Sequence, residues 1–347
     1  MTAAAPEERE EEQAPYTGPP PTLRPSSDVP APALTQEDDA APDPQPERPP
    51  SYLLAMRDGP WAWWRPVAGL LLIAFLLGIG LILTRIVDLL FGVGADLDAV
   101  PLTWRGLLVA NLLLAVALPA VVLAWPVVHG VGPGPGLSVA GRLRWPLLRR
   151  LGLVALLTAG VGVALATGGA VLLADRDVTG PVPDLAWVLL VGLLTVPLRA
   201  AAEEVLFRGY LSQAVAGWIG RPRTGAVVAA VLSALLWAAL YGTDDLTVFL
   251  GRVALGLAAS AAVALTGGLE AAIALHAVCG VVVLLLGAGL GEEAVPALTP
   301  SGPGEVFALL GAAGLAGFLA LVARGGARST GGSDHRPVRR VSSSAAP

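Results

Sequence analysis

Eight apolar runs constrain this chain more than any other feature. They lie near 67–91, 106–129, 151–174, 185–207, 224–241, 247–266, 270–289 and 304–323. Each is close to the roughly 20 residues that an α-helix needs to cross a bilayer. Hydrocarbon offers backbone N–H and C=O groups no partner, so such runs must satisfy their hydrogen bonds internally, as helices. The fold class expected is an all-α membrane protein, a bundle of about eight transmembrane helices. Composition agrees, with 54% of the 347 residues hydrophobic and 14% charged.

The placement of arginine orients the bundle. All 22 basic residues are Arg. Arg57 and Arg65 precede the first run, Arg142, Arg144, Arg149 and Arg150 crowd the link from second to third, Arg221 and Arg223 join fourth to fifth, and Arg324 to Arg340 follow the eighth. The alternate links carry mainly Asp96, Asp98, Asp175, Asp177, Asp244, Asp245, Glu292 and Glu293. This asymmetry predicts both termini in the cytoplasm. Arg in place of Lys, with abundant Ala, Gly and Pro, fits a GC-rich bacterial genome, and hence a multi-pass protein of a bacterial plasma membrane. The net charge of −5 comes largely from the N-terminal tail, so no nucleic-acid partner is expected. No cleavable signal peptide is expected either, because the first residues are acidic and Pro-rich. The lone cysteine, Cys279, excludes an intramolecular disulfide.

Residues 1–52 read as a disordered acidic, Pro-rich tail, 53–324 as the membrane domain, and 325–347 as a disordered Arg/Ser-rich tail whose cations can meet anionic lipid. Trp61-Ala-Trp63-Trp64-Arg65-Pro66 marks a headgroup-level aromatic belt. Glycines in pairs, such as Gly160 with Gly162 and Gly168 with Gly169, predict close helix approach.

Against this apolar background stands Ala201-Ala-Glu203-Glu204-Val-Leu-Phe-Arg208-Gly209-Tyr210. An intramembrane charge costs roughly 2.5–3.5 kcal/mol on insertion scales, so three within six residues require a reason. Glu204 and Arg208, four apart, can pair on one helix face. Glu203 lies about 100° round and is left without that partner, free to take a proton from water. The structural alternative is a buried ion pair that fixes helix packing. His276 sits inside an apolar run, where an imidazole can ligate a metal, exchange a proton, or simply pack. Cys279 is three residues on, more readily a small buried hydrophobe than a metal ligand. The turn near Gly220 to Arg223 brings Tyr241 to the height of Glu203, making it a candidate neighbour, with Trp237 on the same face as Tyr241. Arg85 and Asp88 read as a snorkelled pair, His129 as interfacial, and Arg252 as either a snorkelling anchor or a carboxylate's partner.

These residues resemble the CPBP family of intramembrane proteases, which includes the type II CAAX prenyl endopeptidases and bacterial Abi-type proteins. Glu203-Glu204-Val-Leu-Phe-Arg208 is similar to its E-E-x-x-x-R motif, and Thr266-Gly-Gly-Leu-Glu270-Ala-Ala-Ile-Ala-Leu-His276 to the stretch with its late histidine. Phe249 to Gly256 and Ser138 to Trp145 also look like actinobacterial members, so that the resemblance spans about 138–290. It implies an eight-helix bundle around a polar cavity, and glutamate- or metal-dependent cleavage of membrane-associated proteins or peptides. Glu203 would be the base, Arg208 with Glu204 its electrostatic companions, and His276 an oxyanion or ligand residue. A divalent metal such as zinc is left open.

The chain departs from that pattern twice. Tyr241 stands where the family has a histidine, and Gly280 where it has an asparagine. Tyr can donate a hydrogen bond but is a poor base near neutrality. Losing one oxyanion donor alone can cost about a hundred- to a thousandfold in rate. Two functions follow: an intramembrane endopeptidase using water activated by Glu203, with His276 and Tyr241 on the oxyanion, or a degenerate member acting as a membrane scaffold or binding protein. The first requires Glu203 to face a wet pocket beside His276 and not to be locked to an arginine.

Overall fold

The computed structural model describes residue 18 and residues 51–91, 102–242, 245–296, 298 and 307–330. The expectations for residues 1–50, for Asp96, Asp98 and Asp244, and for the tail beyond 330 lie outside these. Pro49–Pro347 forms one compact unit.

Eight of the described helices are long and apolar enough to span a membrane. They are α1 (Trp64–Leu90), α2 (Trp104–His129), α3 (Trp145–Leu173), α4 (Leu185–Ile219), α5 (Pro222–Ala239), α6 (Leu246–Thr266), α7 (Glu270–Leu290) and α8 (Ala308–Gly325), the last continuing to Thr330. The chain is a multi-pass, all-helical membrane protein. Exposed indoles mark the helix ends, Trp64 and Trp145 at one face of the bundle and Trp187 at the other, as interfacial anchors do.

Helix limits follow local chemistry. Thr103 and Asp245 accept backbone N–H bonds at the starts of α2 and α6. Gly220 (φ 68°) ends α4 in a left-handed turn, so α5 folds straight back along it. A π turn at Val205–Leu211 keeps α4 running well past the apolar segment read from sequence, which ends at 207. Such turns gather at functional sites, and this one falls on the charged motif.

The most buried of the spans is α7, packed against α3, α4 and α6. Small residues allow that packing: Gly192 of α4 faces Leu284, and Gly160 of α3 faces Val278 and Val282. Gly162 and Gly314 let α3 and α8 meet almost backbone to backbone. At the end bearing the α2–α3 link, Arg144 clasps Glu270 with two bonds of 2.8 and 2.7 Å, and also binds the Thr266 carbonyl at 2.9 Å. The short helical turn Tyr52–Arg57 packs there too, with Tyr52 donating to the Gly136 carbonyl at 2.8 Å. His129, at the end of α2, is buried, with Nε2 2.8 Å from the Tyr210 hydroxyl.

Candidate active site

The charged motif lies on the buried side of α4, where Glu203, Glu204 and Arg208 are each 1% exposed. Arg208 Nη1 donates to Glu204 Oε1 at 3.2 Å, and the guanidinium lies over the Trp237 ring, 5.2 Å from its centroid. Gly256 of α6 leaves room for this group, since a Cβ there would sit 2.8 Å from Arg208 Nη2. His276 of α7 places Nδ1 2.8 Å from the same Glu204 oxygen. A carboxylate can only accept, so Nδ1 carries the proton of this bond, and the ring's other nitrogen, Nε2, is turned toward Glu203. That nitrogen lies 3.8 Å from Glu203 Oε2, beyond hydrogen-bonding distance.

Glu203 is not unpartnered, and here the sequence reading is corrected. Arg199, one turn earlier on α4, donates Nε to Glu203 Oε1 at 2.9 Å. The Tyr241 hydroxyl donates to the same oxygen, and Trp237 Nε1 donates to Oε2 at 2.5 Å. Arg199 is itself held by Asn111 of α2, whose Oδ1 accepts from Nη1 at 3.0 Å, while Asn111 donates to Thr195 at 2.8 Å. Arg199 and Glu203 have the same four-residue spacing as Glu204 and Arg208, so this pair too follows from the sequence. Asn111, a lone amide in an apolar run, was also legible.

The structure thus brings together Glu203, Glu204, Arg208, His276 and Tyr241, and adds Arg199, Trp237 and Asn111. Trp237 stacks edge-on against both His276 and Tyr241, with centroids 5.0 and 5.7 Å away. A cavity of about 370 Å³ adjoins the cluster, lined by Arg199, Trp237, Tyr241, Arg252, His276, Cys279 and Gly280 among leucines and valines. Gly280 does more than omit an amide. A Cβ there would lie 2.9 Å from Val196 Cγ1, so that α4 occupies part of the space an asparagine would need.

Zinc does not fit these residues. Among the described residues no three His, Cys, Asp or Glu groups are grouped to hold a metal. Glu203 already accepts three hydrogen bonds, one from a guanidinium that would repel a dication.

A multi-pass bundle that gathers a glutamate pair, an arginine and a histidine in its interior has the frame of an intramembrane protease. Residues 183–282 match the family described as type II CAAX prenyl endopeptidase Rce1-like, a likeness that supports the resemblance to the CPBP family. The matched segment contains α4, α5, α6 and the first part of α7. Its members are hydrolases of the membrane-protease type that act on membrane-associated proteins. No curated protein and no solved structure matches the chain.

Proposed function

We propose that this chain is a degenerate CAAX-protease-like protein of the bacterial plasma membrane, with both termini cytoplasmic, that binds a ligand in its intramembrane cavity without hydrolysing it. The observation that carries this reading is the set of donors on Glu203: Arg199, Tyr241 and Trp237. A general base must be able to accept a proton, and a carboxylate stabilised by a cation and two neutral donors resists doing so. Tyr241 supplies a donor where an imidazole base would be required, and Val196 fills space beside Gly280. Purified full-length protein in nanodiscs, given quenched-fluorescent membrane-anchored peptides, should release no product. Turnover that disappears in Glu203→Gln would overturn the reading.

A second reading, intramembrane endopeptidase activity on membrane-associated proteins or peptides, is favoured by one distance. The 3.8 Å between His276 Nε2 and Glu203 Oε2 would let one water bond to both. Glu203 would then deprotonate that water, and His276 with Tyr241 would stabilise the tetrahedral oxyanion, with Glu204 and Arg208 fixing the His276 ring. The same peptide assay decides between the two.

A further inference from the structure

The cavity carries a charge that the glutamate cluster leaves unused. Arg199 and Arg252 both reach its wall, with their guanidinium carbons 5.2 and 5.5 Å from the Tyr241 ring centroid. Arg199 is neutralised by Glu203. Arg252 has no such partner: Nη1 donates to the Tyr241 carbonyl at 2.9 Å, and no described carboxylate lies within ion-pair distance. A cation within a membrane span is costly unless an anion meets it. The guanidinium fork fits a carboxylate in two-pronged fashion. The carboxylate on the wall, Glu292, accepts the Leu102 N–H at 2.8 Å.

We propose that this cavity binds a single-chain amphiphile with a carboxylate head, of the fatty-acid type. The head lies against Arg252 and Nη2 of Arg199, and the chain runs along Leu107, Val196, Leu255 and Leu284. The proposal names the ligand class for the binding reading above and rests on it. Three features select this ligand. One unpaired guanidinium balances one negative charge, whereas a phosphate monoester brings about −1.5 to −2. Much of the wall is hydrocarbon, so a peptide would leave N–H and C=O groups without partners that a hydrocarbon chain does not have. A volume of about 370 Å³ suits one chain rather than two, near the lower end of the roughly 300–1,000 Å³ of small-molecule sites.

The test titrates full-length protein in dodecyl maltoside with radiolabelled palmitate. Binding should saturate, and unlabelled palmitate should compete where methyl palmitate does not. Arg252→Gln should weaken it about tenfold or more, and Arg252→Lys by less. Val283→Phe, which narrows the cavity while leaving both arginines in the sequence, should also weaken it. Melting temperatures measured on each sample separate lost binding from lost folding, and Val283→Phe decides if the Arg252 variants unfold. Equal competition by methyl palmitate, or unchanged affinity in a folded Arg252→Gln or in Val283→Phe, overturns the proposal. So does stronger competition by lysophosphatidate or by an apolar peptide with a free C-terminus. Peptide cleavage by the same preparation would instead count against the binding-protein reading, whatever the palmitate titration gives.

Discussion

Arg199 precedes Glu203 by one helical turn and donates Nε to its Oε1 at 2.9 Å. Glu204 and Arg208 repeat that spacing with the charges in reverse order. Two adjacent carboxylates are thereby paired in opposite directions along α4, and the helix needs no counter-ion from elsewhere to hold either.

Removing Arg199 leaves Glu203 with two neutral donors and no cation. Arg199→Ala should lower stability by about 1–3 kcal/mol, less than the roughly 3–5 kcal/mol for a fully buried pair, because its side chain is 27% exposed. The expected readout is a lower melting temperature in detergent. Arg199→Ala combined with Glu203→Gln should lose less than the sum of the two single changes.

Arg208 is a different case, buried with Glu204 and covered by Trp237. Arg208→Ala should cost at least about 3 kcal/mol. Gly256→Ala should also destabilise, since its methyl would press on Arg208 Nη2 from 2.8 Å. A Gly256→Ala protein that melts with the parent would show that the guanidinium can move aside.

The space beside Gly280 predicts non-additivity. Gly280→Asn should destabilise through its contact with Val196 Cγ1, 2.9 Å from the new Cβ, and Val196→Ala should restore part of the loss. A coupling energy near zero in that double-mutant cycle would refute the steric account. Any attempt to build catalysis by Tyr241→His and Gly280→Asn therefore needs Val196 reduced as well.

The Arg144–Glu270 clasp should hold the link before α3. Arg144→Lys keeps the charge but loses the two-pronged geometry, and Glu270 is fully buried. We expect about 1–3 kcal/mol of destabilisation. Faster hydrogen exchange should follow at the Val139 amide, which is bonded to the Gly267 carbonyl at 2.9 Å.

Much of the site was legible because helical spacing is a local rule. Four-residue steps paired Glu204 with Arg208, and the position of the turn at Gly220 put Tyr241 level with Glu203. The same rule applied to Arg199 would have found the partner of Glu203. The link from Arg199 to Asn111 is another matter, since nothing in the sequence states which faces of α2 and α4 meet.

By itself the amino-acid sequence determined the eight spans and the turn near Gly220, because a backbone in hydrocarbon must satisfy its hydrogen bonds within its own helix. It also determined that charge had to cluster on α4. The tertiary structure alone decided how that charge is used. Glu203 becomes a triply bonded anion only because α5 brings Trp237 and Tyr241 against it while α2 steadies Arg199. Arg252 reaches the cavity wall with no described carboxylate at ion-pair distance for the same kind of reason. Which side chains meet across a bundle depends on helix rotation and separation, and those are set by the summed packing of small residues on every helix at once.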